Sequence, residues 1–240
     1  AVSAEYIGAA AISSATKLST DATTVNVTNS VLDSSDDPAL LTLELTAAKA
    51  TGVTLAGAGA VTLSAASGQN VVTSLDATSH TGALTVTDTN IFDAVSATVT
   101  TGTASTTTTI AAASLTNGAV MYDDNGGTDI LAFTSTGADY GIVDADGFET
   151  IKMTLNTGAN TALNFRDSSG YEVIQVVDAK ANTNDLDDDV TFSNVASGTT
   201  IVVDGVFGDS SGADKLLVSA ASGSSDSVTL TSTDLSSNGT

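Results

Sequence analysis

Asp144-Ala-Asp146-Gly147-Phe148-Glu149-Thr150-Ile151-Lys152 and, 23 residues on, Asp167-Ser-Ser-Gly170-Tyr171-Glu172-Val173-Ile174-Gln175 are two copies of one nine-residue pattern, D-x-x-G-x-[D/E]-x-[L/I]-x. The pattern occurs again as Asp124-Asn-Gly-Gly127-Thr-Asp129-Ile-Leu131-Ala and as Asp209-Ser-Ser-Gly212-Ala-Asp214-Lys-Leu216-Leu. Successive copies start 20, 23 and 42 residues apart, close to one, one and two units of about 21 residues. An apolar strand separated from the next by an acidic glycine turn, at a near-constant step, is what each coil of a β-solenoid requires. The expected fold is therefore all-β: an elongated parallel β-solenoid, a degenerate β-helix or β-roll. Tandem β-sandwich-like modules are the alternative.

Working outward from these copies, the same short alternation of apolar and hydroxyl residues runs through the chain. It is seen at Val25-Asn-Val27, Leu41-Thr-Leu43-Glu-Leu45, Val53-Thr-Leu55, Val61-Thr-Leu63 and Leu84-Thr-Val86. It continues at Ile151-Lys-Met153-Thr-Leu155, Leu163-Asn-Phe165, Val190-Thr-Phe192, Ile201-Val-Val203, Leu216-Leu-Val218 and Val228-Thr-Leu230. Period two is the mark of a half-buried strand, and β-branched threonine suits the pleat. Helix-length candidates are confined to residues 1–18, which lack an amphipathic face, and to 38–50, equally readable as a strand.

The 240 residues carry 28 acids against 6 bases, a formal charge of −22. Phosphate recognition needs a basic face, so nucleic acid is excluded as a partner. The same balance argues against docking on anionic lipid. No apolar run approaches a membrane span of about 20 residues, so membrane insertion is not expected. Thr (40) and Ser (29) abound and Trp is absent, which points to a thin core between narrow β layers. Without cysteine there is no disulfide framework and no thiolate site. The chain does not begin with Met or a signal peptide and is read as a mature form or a segment of a larger polypeptide. Residues 1–117, rich in Thr and Ala, hold 9 of the acids and 118–240 hold 19. With no linker between these parts, 1–240 is taken as one elongated β-rich segment.

The acids of the repeat suggest a ligand. Calcium takes six to eight oxygen donors and tolerates irregular geometry. The motif glycine allows a turn with positive φ, which lets neighbouring carbonyls converge. Stacked coils would then set one unit's acids beside the next unit's turn. Without a cation such carboxylates repel. Asp and Gly are also common in ordinary turns, but four copies in register favour cation binding. The candidate metal ligands are Asp124, Asp129, Asp144, Asp146, Glu149, Asp167, Glu172, Asp209 and Asp214. Asp36-Asp37, before Pro38, is read as a solvated turn. Asp185, Asp187, Asp188 and Asp189 form either a solvated loop or a second ion site.

No catalytic constellation emerges, and an enzyme is not expected. His80, the single histidine, lies in the polar stretch Thr78-Ser-His-Thr-Gly82 and is expected to face solvent. Ser14-Ala-Thr-Lys17 matches S-x-x-K but lacks the partner motifs of that chemistry. Arg166 is the single Arg, a poor basis for a β-helix polysaccharide lyase.

Three stretches carry a family resemblance. Val71-Val-Thr-Ser-Leu75-Asp76-Ala77-Thr-Ser-His-Thr-Gly82-Ala-Leu84-Thr-Val86-Thr resembles the DAS-x-x-TG-x-L-T-V phrase of bacterial surface-layer proteins and large secreted adhesins of the repeats-in-toxin-like group. Gly126-Gly-Thr-Asp129-Ile-Leu-Ala-Phe133 and Gly147-Phe-Glu149-Thr-Ile151-Lys-Met153 are similar to the GG-x-G-T-D-x-L and GFET-[LI]-x-[VM] elements of that group. The resemblance implies a secreted, calcium-binding β protein that assembles with copies of itself on the outside of a Gram-negative cell. Surface polysaccharide is a further candidate partner. The Asp of the family's nonapeptide falls on Asp129 and Asp214, with Glu149 and Glu172 as variants. The family's leading glycines are replaced by Asp124-Asn125 and Asp209-Ser210 and no tandem block is present, which implies a degenerate solenoid with fewer ions. The function expected on this basis is a lattice-forming segment of a surface-layer protein. A secreted adhesin or biofilm-matrix stalk is the first alternative, and a β-helix polysaccharide lyase or hydrolase the second.

Overall fold

The computed structural model describes residues 1–6, 15–30, 40–66, 72–87, 91–92, 96–123, 126–155, 160–178, 189–204, 215–223 and 226–232. The chain divides into two compact units, Ala1–Leu131 and Ala132–Thr240. Among the described residues no helix is long and apolar enough to cross a membrane.

The first unit contains β1 (Val2–Tyr6), β2 (Thr16–Ser19), β3 (Thr24–Asn29), β4 (Leu41–Thr46), β5 (Gly52–Gly57), β6 (Val61–Ala65), β7 (Ser74–His80), β8 (Leu84–Thr87), β9 (Thr98–Thr100) and β10 (Thr106–Ile110). A short helix, α1 (Ala112–Thr116), and β11 (Val120–Tyr122) follow. The odd strands form one sheet in the order β1-β3-β5-β7-β9-β11, the even strands another in the order β2-β4-β6-β8-β10. Every one of these pairs is parallel. Each coil thus gives one strand to each sheet, and the unit is a parallel β-solenoid.

The second unit repeats the plan. After β12 (Ile130–Ser135), on which the division falls, come β13 (Asp139–Ile142), β14 (Asp144–Asp146), β15 (Thr150–Leu155), β16 (Thr161–Asn164) and β17 (Val173–Asp178). Then follow β18 (Val190–Val195), β19 (Thr200–Asp204), β20 (Leu216–Ala220) and β21 (Thr229–Ser232). One sheet runs β12-β15-β17-β19-β21 and the other β13-β16-β18-β20, with parallel pairing from β15 to β21 in the first and throughout the second.

Alternation in sequence becomes alternation in burial because successive side chains leave a strand on opposite faces. β4 reads buried, half-buried in turn, with Leu41, Leu43 and Leu45 inward and Thr42, Glu44 and Thr46 outward. Parallel in-register pairing then stacks like on like. Val25, Val53, Leu75, Val99 and Met121 are register partners from coil to coil and all are buried. In the second unit Ile151, Ile174 and Ile201 stack in the same way at full burial. Each such side chain contributes roughly 1.5–3 kcal/mol relative to exposure. Aromatic residues pack together in the core of the second unit, where the Phe165 and Phe192 rings meet edge-on at 5.8 Å and Tyr171 tilts against Phe165 at 5.4 Å.

The helix-length candidates are not helices where they are described. Residues 1–18 hold β1 and the start of β2, and residues 38–50 hold β4. The coil step also departs from about 21. Leu41 pairs with Val61, 20 residues on, and Leu84 with Thr106, 22 on. Thr200 pairs with Thr229, 29 on. The strand pairs at these three steps stay in register throughout, whereas β5 with β7, β13 with β16 and β18 with β20 each carry a register shift.

Candidate calcium-binding turns

The three described motif glycines occupy the left-handed region: Gly127 at φ +98, Gly147 at +86 and Gly170 at +82. Each opens the turn before a strand of one sheet, β12, β15 and β17 respectively. The second and third copies are stacked one coil apart. Asp146 and Ser169 form a parallel bridge, Thr150 pairs with Val173, and both steps equal the 23-residue spacing of the two copies. The turns are tied together by backbone. The Gly147 amide donates to the Ser169 carbonyl at 3.1 Å, and the Glu172 and Val173 amides donate to the Glu149 carbonyl at 2.9 and 3.0 Å.

This stacking gathers carboxylates from successive coils. Asp144, half-buried at the start of β14, has its carboxyl pushed above the usual carboxylate range, first by burial and then by the negative charges of Asp146 and Asp167. Asp146 Oδ1 accepts a hydrogen bond from the Ser169 hydroxyl at 2.7 Å. Asp167 is engaged by its neighbour: Arg166 Nε and Nη2 donate to its two oxygens at 3.0 and 3.2 Å. That guanidinium holds the Asp167 carboxyl below its ordinary value. Glu149 is half-buried and Glu172 exposed, one coil apart.

The first copy does something different. Asp129 is fully buried, and its Oδ1 accepts the Thr106 amide at 2.5 Å, at the start of β10 one coil earlier. The Thr128 amide donates to Ser105 Oγ at 3.0 Å, completing a strand cap. Asp124 lies outside the described residues, as do Asp36, Asp37, Asp185, Asp187, Asp188, Asp209 and Asp214. Asp189 is half-buried, and its amide donates to Asn160 Oδ1 at 3.0 Å.

Of the fourth copy only the C-terminal end is described, and its apolar residue does not fall on the sheet of β12, β15 and β17. Its apolar residue Leu216 lies on β20, which belongs to the β13-β16-β18-β20 sheet. In the sequence the 42-residue interval reads as two coils. The coils there are longer, however: β17 to β19 advances 27 residues and β19 to β21 a further 29. Among the described residues no group of three or more His, Asp or Glu side chains is disposed to hold a metal ion.

His80 reverses its expected placement. It ends β7, pairs with Gly57, and is 1% exposed. The corner around it is built from small residues: a Cβ on Gly82 would lie 2.5 Å from the carbonyl oxygens of Ala58 and Gly59. Burial lowers the His80 pKa, against a smaller opposing effect of the Ala83 and Ala56 backbone. Neither ring nitrogen makes a hydrogen bond of good geometry. Further along the first unit, buried Thr101 donates its hydroxyl to buried Asp123. The polar character of residues 78–82 concealed the burial of His80; the one signal was the glycine two residues after it.

Comparison of the chain with protein-family models, curated proteins and solved structures gave no match.

Proposed function

We propose that this chain is a lattice-forming segment of a bacterial surface-layer protein, positioned outside the cell, whose self-assembly depends on calcium bound at the stacked acidic turns. The observation that carries the reading is the stacking of the second and third motif copies. It brings Asp144 and Asp146 of one coil to Asp167 of the next, and burial and like charge already raise the Asp144 carboxyl. The donors are hard oxygens, the kind calcium takes. Asp144 and Asp146 would hold the ion, joined by Asp167 once it exchanges Arg166 for the cation, with Glu149 and Glu172 as flanking charge. Bound calcium would neutralise carboxylates that monovalent salt screens poorly at close range. The role is structural, and no residue is assigned a catalytic step.

Calorimetric titration with calcium tests the site. Asp144→Asn with Asp146→Asn should weaken binding, since ligand charge governs affinity. Arg166→Ala should strengthen it by freeing Asp167, whereas Asp129→Asn should leave calcium affinity unchanged and cost stability alone. Unchanged affinity in the Asp144/Asp146 variant would remove the site. Electron microscopy of the assembled chain tests the lattice. A two-dimensional repeat supports it, whereas isolated fibres would favour the adhesin or biofilm-matrix stalk. Turnover in a screen of acidic and neutral glycans would instead favour the polysaccharide lyase or hydrolase.

A further inference from the structure

We infer that the outward face of β4, β6, β8 and β10 is the surface through which a second copy of this chain docks, an inference that rests on the lattice reading above. Register pairs stack Thr42, Thr62, Thr85 and Thr107 in one file, and Glu44, Ser64, Thr87 and Thr109 in the next. All eight are half-exposed. The files repeat about every 4.8 Å across the strands and lie about 6.7 Å apart along them. The single ionised group among them, Glu44, is paired with Lys17 Nζ at 3.2 Å. On β6, β8 and β10 the outward positions are hydroxyls only.

Charge decides the occupant. Copies of a chain at −22 repel, so they approach closely only where carboxylates are missing. The other sheet of the same unit does not offer this, because Glu5 on β1 and Asp76 on β7 stand exposed on it. Hydroxyls donate and accept alike, so an array of them is complementary to an identical array, as a two-fold contact requires. A carboxylate face has no such property. The area is on the order of 300 Å² for four strands of this length, well below the roughly 800 Å² per partner of a stable standalone complex. One contact of this kind is weak, and repetition across an array supplies the avidity.

The test uses the full chain in calcium, with association followed by sedimentation velocity and folding by thermal melting. Thr85→Glu places a carboxylate at the centre of the face and should raise the concentration needed for association about tenfold or more. Thr85→Val keeps the β-branched shape, removes the hydroxyl, and should raise it by a smaller factor. Ser74→Glu, on the other sheet, should have no effect. High monovalent salt should promote association, because the contact itself is uncharged. Association of Thr85→Glu equal to that of the native chain, with both folded, would overturn this face and leave the lattice reading intact. A native chain that never associates in calcium would overturn both. Retention of a monomeric native chain on a neutral polysaccharide, lost in Thr85→Glu, would replace the second copy with that polymer.

Discussion

Replacing Gly170 by alanine measures how tightly the acidic turns are stacked. Gly170 sits at φ +82, and a Cβ there would lie 3.0 Å from the Gly147 nitrogen and 3.1 Å from its Cα. Both neighbours are backbone of the adjacent coil, which cannot rotate away. Holding alanine in the left-handed region costs about 1–2 kcal/mol, and forcing apart two packed coils adds about 1–3 kcal/mol. Gly198, between β18 and β19, supplies the reference. Its φ is +90, but a methyl group there would meet nothing within 4 Å, so Gly198→Ala should lose the conformational part alone. Both glycines belong to the second unit. Urea unfolding followed by far-UV circular dichroism should therefore shift the same transition twice, with Gly170→Ala lower by an extra 1–3 kcal/mol or so. Equal shifts would refute the stacking, because the loss would then come from each turn alone. Gly127→Ala extends the series in the first unit. Its Cβ would stand 2.5 Å from the Ser105 nitrogen, so the loss there should be larger still.

Three further outcomes follow from the same structure. Because burial depresses the His80 pKa, the unfolded chain takes up the proton more readily, so stability should be full above about pH 6.5 and fall as pH drops through that value towards the folded pKa. Melting curves of the native chain and of His80→Leu between pH 5 and 8 check this, and an unchanged pH slope in the variant would exclude His80 as the cause. For Asp144 the sign is opposite: its raised pKa means the folded state binds the proton better, so in chelator Asp144→Asn should raise the melting temperature and then gain less from calcium than the native chain does. The native gain is about 2.7 kcal/mol per site at a hundredfold excess over Kd. Leu63→Ala, in a fully buried inward position of β6, should cost about 2–5 kcal/mol by urea titration, and a loss below 1 kcal/mol would contradict the inward register of that strand.

Most of the architecture could be read from residue types because burial and alternation coincide. Leu41, Leu43 and Leu45 declare both a strand and its inward face, and the motif glycines declare positive φ at Gly127, Gly147 and Gly170. β10 could not be read this way. Its four consecutive threonines have no periodicity, and only pairing with β8 decides that Thr106 and Thr108 turn inward. β7 is hidden for a related reason: the register shift against β5 between Thr54 and Ala56 breaks its alternation. The pattern marks the glycine turns at Gly127, Gly147 and Gly170 but not what the acids beside them meet. Asp129 and Glu149 hold the same position of the motif, yet Asp129 is buried and caps a strand of the preceding coil while Glu149 stays half-buried at its turn. That choice depends on what the neighbouring coil presents, which no nine-residue window contains. The placement of Leu216 on the other sheet depends likewise on coil lengths summed over many residues.

The variable coil step has a consequence for how such a chain can change. In β4 with β6 and in β19 with β21, partners remain matched residue for residue although 20 residues separate them in one pair and 29 in the other, so a longer step need not disturb strand alignment. Closing a flexible loop twice as long costs only about 0.6 kcal/mol more. Added sequence at a corner is therefore a local event, invisible to the ladder of side chains inside. Within each unit the in-register pairs act as fixed rungs, and the bend between two of them can take up extra residues without realigning the strands on either side.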